Sequence, residues 1–383
     1  MQLLRQHDAA GSAGHGPVPD PAAQARAAVR ADRARTELRH GRAIVLLEPG
    51  GAEPALLLAA IETLDAARWA ALQARADGWR LLLSRERLHA IGWELGAAPQ
   101  LLALAGAMTL ETLQAFAAVA ADDMVDGQRL FAPRPGGAAL RAALQLAAAA
   151  RLAPALVVAE LGAEALAALE RDDILCVAPR DVLAAAPPRV PALRRLSEAP
   201  VPLAAREDCR LIVFGEADGD AEHVAVLVGR PDPSRPVPVR LHSSCLTGDL
   251  LGSLRCDCGD QLRLALDQLA VTGGVLLYLA QEGRGIGLVN KLRAYRLQDC
   301  GLDTFEADRH LGFTGEQRDF GVAAAMLQAL GHGRVQLHTN NPHKVDALRR
   351  AGIEVIARLP LPAPSQPHNR RYLEAKRRAG HHA

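Results

Sequence analysis

The stretch from Ala184 to Pro200 constrains this chain more than any other, because Pro187-Pro188, Pro191 and several arginines make it a linker that divides the sequence near residue 195. With 383 residues there is room for two domains of ~100–200 residues each. In front of the break the pattern predicts a helix over roughly Ala22–Leu38, ended by Gly41, then strands at Ala43–Leu47 and Ala55–Ala59 around Pro49-Gly50-Gly51. Helices over Leu64–Ala76, Ser84–Gly92, Leu110–Ala121 and Ala139–Leu152 then alternate with extended runs at Trp79–Leu83, Leu156–Glu160 and Ile174–Ala178. Behind the break, Cys209–Gly215, Val224–Gly229 and Val237–His242 read as antiparallel strands joined by short, turn-rich loops. Helices over Gln261–Leu269, Ile286–Gln298, Arg318–Leu330 and Pro342–Ala351 follow, interleaved with strands at Val275–Leu279, Val335–Thr339 and Glu354–Ala357. The expected fold class is α/β mixed (α+β), with two domains, each a mixed sheet covered by helices. The expected division is a mobile tail over 1–20, a first domain over 21–183, a linker over 184–200 and a second domain over 201–383.

Apolar content of 49% with 23% charge belongs to a soluble globular chain and excludes disorder throughout. Lys+Arg 44 against Asp+Glu 43 leaves +1, so no overall field draws the protein to nucleic acid or an anionic membrane, and any anion site must be local. Apolar runs such as Leu152–Ala159 fall short of the ~18 residues of a membrane span, and the first thirty residues lack an apolar signal core. A cytoplasmic location is the expectation. The basic residues are nearly all arginine, and the lysines are Lys291, Lys344 and Lys376 alone. The tyrosines (Tyr278, Tyr295, Tyr372) and asparagines (Asn290, Asn340, Asn341, Asn369) also lie beyond residue 277, whereas every tryptophan lies before residue 94. Such rationing suggests chemistry in the last third that Arg, Phe or Asp cannot do.

Six cysteines are too few for a disulfide scaffold, and Cys245, Cys256 and Cys258 cluster as Cys-x10-Cys-x-Cys. Thiolates hold zinc at ~2.3 Å, and a structural zinc takes four protein ligands, so three imply an open position for water whose pKa falls towards ~7. The bland alternatives are inert buried thiols or a structural site completed by His242; Cys176, Cys209 and Cys300 read as core. Next, Gln281-Glu-Gly-Arg-Gly-Ile-Gly287 lies between a strand and a helix, where spaced glycines let backbone N–H groups approach an anion. Glu282 suits guanine's N1–H and 2-amino donors, and Arg284 suits phosphate. Tyr295 lies one helical turn after Lys291 and presents its hydroxyl to the site or packs in the core, while Arg293 is a site residue or a solvated helix charge. Glu316 and Arg318 sit in a loop entering a helix, as a capping ion pair or as an acid/base and phosphate-handling pair. Thr339 and Lys344 flank a strand-to-helix turn shaped by Asn340 and Asn341, a place where ligands gather in α/β folds.

Together these segments resemble GTP cyclohydrolase II over about residues 201–383. The motifs HSxCLTGDLLGSLRCDCG, QEGRGIGLVNKLRAY, TNNPHK and the terminal NRRYLEAK follow that family's order and spacing. The resemblance implies that Cys245, Cys256 and Cys258 bind one Zn2+ per subunit. It further implies that Arg240, Leu241, His242, Ser243, Ser244, Gln261, Glu282, Gly283, Arg284, Thr304, Thr339 and Lys344 line a GTP site. Glu316 takes the proton-acceptor position, Arg318 the proposed nucleophile position, and Tyr295 orients water or intermediate. A guanidinium with a pKa above ~12 is rarely unprotonated, so electrostatic stabilisation of departing pyrophosphate is the rival role for Arg318. The family opens the imidazole ring of GTP, releases formate and pyrophosphate, uses Mg2+ and acts as a homodimer. Two positions depart from its pattern: Ser244 replaces an acidic residue, and Glu316 replaces Asp.

The front half is similar to dihydroxybutanone phosphate synthase through Arg35–Gly41, the strands at Ala43–Leu47 and Ala55–Ala59, Leu81–Gly92 and Pro133-Arg-Pro-Gly-Gly137. That chemistry needs an acidic, magnesium-binding loop and a later histidine. Here the loop reads Leu47-Glu-Pro-Gly-Gly-Ala-Glu-Pro54 and no histidine occurs between His89 and His223, so an inactive remnant is expected. Two other readings compete with the leading one: a cyclohydrolase of altered nucleotide or product specificity, and a nucleotide-binding regulator weakened in turnover. The basic tail Arg370, Arg371, Lys376, Arg377 and Arg378 reads as a solvated helix face, or as an attractor of phosphate when the chain end folds over the site.

Overall fold

A computed structural model describes residues 21–378 other than 52, 120–126, 173, 186–190, 218–219, 315–316, 363 and 365. The tail expected over 1–20 lies outside the described residues. The front half builds a seven-stranded mixed sheet from β1 (Ile44–Leu46), β2 (Ala55–Ala60), β3 (Arg80–Leu83), β4 (Gln100–Leu104), β5 (Leu130–Pro135), β6 (Ala155–Leu161) and β7 (Cys176–Val177), in the order β5-β4-β3-β6-β2-β1-β7. Its helices are α1 (Pro21–Arg39), α2 (Ala66–Gln73), α3 (Arg85–Ala90), α4 (Leu110–Phe116), α5 (Ala138–Ala149), α6 (Ala163–Arg171) and α7 (Pro179–Ala184). Both faces of this sheet are covered. Ile44, Leu46, Leu56 and Leu58 pack under α1 and α5, while Val45, Leu57 and Ala59 pack with Trp69 and Phe116 on the other face. Two-sided burial explains why these strands read as unbroken apolar runs rather than as alternating ones.

The back half forms a second seven-stranded mixed sheet from β8 (Leu193–Pro200), β9 (Cys209–Glu216), β10 (Glu222–Val228), β11 (Val237–Ser243), β12 (Gly274–Leu279), β13 (Arg334–His338) and β14 (Glu354–Leu359), in the order β14-β13-β11-β12-β10-β9-β8. Helices α8 (Cys258–Thr272), α9 (Gly287–Asp299), α10 (Thr304–His310), α11 (Gly321–Ala329), α12 (Pro342–Arg350) and α13 (Arg370–Arg378) accompany it.

Three expectations are corrected. β11 does not pair with β10: β12 lies between them, antiparallel to β10, and β11 runs parallel to both β12 and β13, because α8 carries the chain across before it returns. The linker stretch contains β8, an edge strand paired with β9, whose exposed Arg194, Arg195 and Glu198 disguise it as loop. β5 escapes the sequence reading because it carries Pro133 and Pro135, which a strand tolerates at the sheet edge it occupies.

The halves meet where α3 approaches α10. The Arg87 side chain is buried and donates to the carbonyls of Phe116 (2.7 Å), Ala115 (3.1 Å) and, across the seam, His310 (3.1 Å). Gly312, at φ +91°, seals the contact: a Cβ there would lie 2.6 Å from Ser84 Oγ and 3.0 Å from the Pro154 ring.

Candidate active and metal site

The parallel strands β11, β12 and β13 end on one side of the back sheet, and the residues singled out above lie along β11, in the loops leaving these ends and on the helices of this half. After β11 the chain makes a π-turn over Leu246–Leu250 and returns into α8, which brings the three cysteine sulfurs within 4.8 Å of one another; Cys245 and Cys256 Sγ are 3.7 Å apart. Thiolates at ~2.3 Å from a tetrahedral ion sit about 3.8 Å from each other, so this donor set fits zinc. Two glycines allow the approach. A Cβ on Gly248 would meet Cys256 Sγ at 2.9 Å, and one on Gly259 would meet the Gly248 carbonyl at 2.2 Å. Hydrogen bonds from the other thiols and from Lys291 pull the Cys245 thiol down, and the same contact pushes Cys256 up to about 11.

The supporting groups are buried. Asp249 accepts from the Cys245 N–H (2.9 Å) and the Tyr278 hydroxyl (2.9 Å), and holds His242 Nε2 at 3.0 Å. His242 is therefore engaged by a carboxylate and stacked on Tyr278, and among the described residues no histidine or carboxylate joins the thiols as a fourth ligand. Lys291 Nζ donates to Cys245 Sγ (3.0 Å) and Glu282 Oε1 (2.7 Å). Glu282 also accepts from the N–H groups of Leu246 (2.6 Å) and Gly283 (2.9 Å), so its carboxylate ties the glycine loop to the loop of the thiols. Tyr295 follows Lys291 on the same helix face, lines the metal cavity, and is pushed up to about 12 by burial. Gly283 and Arg284 both adopt φ +61°; for a non-glycine residue this is uncommon and strained. The turn aims Arg284 at Asp308 and at the Thr304 carbonyl (3.2 Å), under Phe305.

A second cavity of about 90 Å³ adjoins the metal cavity, of similar volume, and the two share Ser243, Cys258, Arg284, Arg318 and Tyr372. Arg240, Arg284, Arg318, Lys344 and Lys376 converge on the second one. Arg240 is buried, donates to Gln261 Oε1 (2.5 Å) and the His338 carbonyl (3.0 Å), and is lowered to about 10 by desolvation, which leaves it cationic at neutral pH. Lys344 Nζ donates to the Leu241 carbonyl (2.8 Å); the Leu241 side chain itself belongs to the core. Thr339 Oγ1 accepts from the Asn341 N–H (3.0 Å), and Ser244 donates its N–H to Leu279 (2.8 Å) beside the metal cavity. Glu316 lies outside the described residues.

Three sequence readings change here. Arg293 is neither solvated nor in the pocket: its Nη1 pairs with Glu62 of the front half at 2.8 Å. Lys376, in the tail, reaches Asp257 Oδ1 at 3.0 Å instead of lying in solvent, and Tyr372 of the same helix lines both cavities. Asp257 also accepts from Gln261 Nε2 (2.5 Å), a link that the Cys-Asp-Cys tripeptide hides. Cys300 is exposed, not core. All three lysines and all three tyrosines of the chain thus stand at this site, which is the signal their rationing in the sequence carried.

The family model described as GTP cyclohydrolase II matches residues 194–360. The GTP cyclohydrolase-2 of Azospirillum brasilense is 43% identical over 367 residues, spanning 93% of this chain and 94% of that protein. That of Xylella fastidiosa (strain Temecula1) is 40% identical over 358 residues, spanning 93% and 87%. That of Azotobacter vinelandii is 58% identical over 162 residues, 42% of this chain and 77% of its own. A two-domain 3,4-dihydroxy-2-butanone 4-phosphate synthase structure from A. baumannii covers 88% of this chain and 100% of its own at 16% identity, with a TM-score of 0.32, too low to equate the folds. Since the A. brasilense and X. fastidiosa proteins run alongside both halves, and the family model alongside the half that gathers the thiols, the chain belongs to the GTP cyclohydrolase II family.

Proposed function

We propose that this enzyme hydrolyses GTP, opening the imidazole ring with release of formate and pyrophosphate to give 2,5-diamino-6-(5-phosphoribosylamino)pyrimidin-4(3H)-one, the first step of riboflavin biosynthesis. The observation that carries the reading is the junction of two unlike cavities, one floored by three thiols and one ringed by five cations, with Arg284, Arg318 and Tyr372 common to both. A purine triphosphate has the same division, with an electron-poor C8 at one end and a polyanion at the other.

A zinc ion on Cys245, Cys256 and Cys258 would supply the Lewis acidity that makes water a nucleophile at neutral pH. Lys291 holds the Cys245 thiolate and Glu282 in place, and Tyr295, a proton donor even above neutral pH, orients water or the opened ring. Arg240, Arg284, Lys344 and Lys376 neutralise the phosphates, with Mg2+ accompanying them. Arg318, which lines both cavities, either attacks the α-phosphorus or stabilises the departing pyrophosphate, and its fixed charge favours the second role. Glu316, two residues earlier, accepts the proton. A homodimeric state belongs to the same reading. No helix among the described residues is long and apolar enough to cross a membrane.

For the front half we infer no synthase chemistry of its own. Glu48 pairs with Arg180 and Arg134 with Glu160, so these charged groups are engaged with each other. The test is one incubation of the purified chain with GTP, zinc and magnesium, scored for formate and pyrophosphate together. Both products in equal amount support the reading. Formate without pyrophosphate, or nucleotide binding without either product, overturns it in favour of altered specificity or a regulator.

A further inference from the structure

Helix α9 stands between the front half and the metal site, and its two faces are used differently. Lys291 and Tyr295, four residues apart, point to the thiols. Asn290 and Arg293, three residues apart, point the other way and meet a narrow part of the front half. There Glu62 uses both carboxylate oxygens: Oε1 takes Arg293 Nη1 at 2.8 Å, and Oε2 takes the Ala153 N–H at 2.7 Å. Arg293 Nη1 also donates to Asn290 Oδ1 (2.8 Å), and Asn290 Nδ2 donates to the Arg151 carbonyl (3.0 Å) and the Ile286 carbonyl (3.1 Å). Arg151, held at φ +59°, sends Nη2 to the Ala280 carbonyl (3.2 Å), the last peptide before Gln281 and Glu282. Side-chain exposures of 18% for Arg293 and 10% for Glu62 keep water from screening the pair, and Asn290 is wholly enclosed.

We propose that Glu62 and Arg151, on the front half, are positioning residues for the cyclohydrolase site: they fix α9 in rotation and height, and with it the placement of Lys291 and Tyr295 against the thiols and of the Glu282–Arg284 turn. The front half then has a role without chemistry of its own, as the fixed wall against which the substrate loop is set. Loss of this wall leaves the metal ligands, which lie on other elements, in place. It lets α9 shift, and a displacement of about an ångström at a reacting group costs up to ~100-fold in rate. The proposal rests on the GTP reading given above.

The experiment compares formate release from GTP by the full-length chain and its variants Glu62→Ala, Arg293→Ala, the double variant and Arg151→Ala, with metal content and thermal midpoint measured on each. Asp220→Asn, which removes a seam contact to Arg35 (3.6 Å) away from α9, serves as the control. The expected result is a kcat loss of about 10- to 100-fold in Glu62→Ala and Arg151→Ala, with a smaller change in KM, one metal ion per chain and a wild-type kcat in the control. The double variant should be no worse than its worse parent, as for two groups acting through one contact. Wild-type kcat in folded, metal-loaded Glu62→Ala or Arg151→Ala, additive losses in the double variant, or an equal loss in the control would each overturn the proposal. Should Glu62→Ala not fold, Glu62→Gln and Arg151→Ala decide the matter. If the wild-type chain releases no formate, the GTP reading is at fault. The brace is then judged by the rate at which a chelator strips the metal, which must rise in Glu62→Ala because Lys291 loosens from Cys245; an unchanged rate sinks it.

Discussion

The two sheets bury polar groups in opposite measure. Of the eighteen polar or charged residues buried among the described part of the chain, only Ser84 and Arg87 belong to the front half, and both sit against the back half. The front sheet is otherwise closed on both faces by Leu, Val, Ala and a few aromatics, and its charges sit outside in pairs such as Arg134–Glu160 and Arg75–Asp172. The back sheet encloses Arg240, Asp257, Lys291, Asp308 and Lys344 beside the thiols. Burying such groups costs several kcal/mol each unless every donor and acceptor finds a partner, so a fold accumulates them only where they do something else. On the reading proposed above, the contrast divides the molecule into a half for chemistry and a half for support, and each prediction below tests that division.

The largest effect is expected at the thiols. Cys245→Ala removes the sulfur that Lys291, Gly248 and Thr247 all contact, so the chain should lose its metal and its turnover together, with activity below about 1% of wild type. Metal analysis by atomic absorption beside a formate assay checks it. Full activity in a metal-free variant would break the division, since the back half would then work without its defining group.

Second comes the seam. Arg87→Met takes the Arg87 donors from the carbonyls of Phe116 and His310, at about 1–3 kcal/mol for each group left unsatisfied, while the Ala115 carbonyl keeps the Ala118 N–H (3.0 Å). Arg134→Ala removes one partner of an ion pair whose side chains are 47% and 41% exposed, which should change stability by under about 1 kcal/mol. Chemical denaturation of the two variants measures the gap. Equal losses would mean that the front half, too, relies on its polar contacts.

Much of this was legible in the sequence. Strands with both faces covered announce themselves as apolar runs, which is why β1, β2, β6, β12 and β13 stand where expected. The thiol trio and the glycine turn are local in sequence, so spacing finds them. What escaped is what depends on distant partners. Arg293 looks like any helix arginine until Glu62, far away in the sequence, comes to face it. Lys376 looks like tail charge until Asp257 accepts it. Glu282 shows no partner in the sequence until Lys291 and the Leu246 N–H are folded against it. Residue rationing was the better guide: a chain rich in arginine that retains lysine at three positions brings all three to one site.

Third is the reach of the back half's polar network into the last helix. Lys376→Met keeps the stem of the side chain and removes the charge facing Asp257, so phosphate affinity should weaken and KM for GTP rise about 5- to 10-fold, as for a lost charge contact of 1–1.5 kcal/mol, with kcat little changed. A fall in kcat at unchanged KM would instead assign Lys376 to the chemistry. Asp257 retains Gln261 on its other carboxylate oxygen.

The smallest effect is a pH dependence at the seam. Burial, then the charge of Arg87, lowers His310 from its ordinary 6.5 to about 4. Between those values the unfolded chain takes up a proton that the folded chain refuses. The stability from this group is therefore complete above pH ~6.5 and drains away as pH falls towards 4. His242, His332 and His338 are lowered by burial as well and act in the same direction, so part of the acid sensitivity belongs to the back half itself. His310→Gln isolates the seam. Its thermal midpoint, followed by calorimetry from pH 7.5 to 4.5, should fall less than that of the wild type, by a few degrees at the acid end. Superimposable profiles would mean that His310 reaches solvent in both states, and that the junction between support and chemistry is looser than the hydrogen bond from Arg87 to the His310 carbonyl suggests.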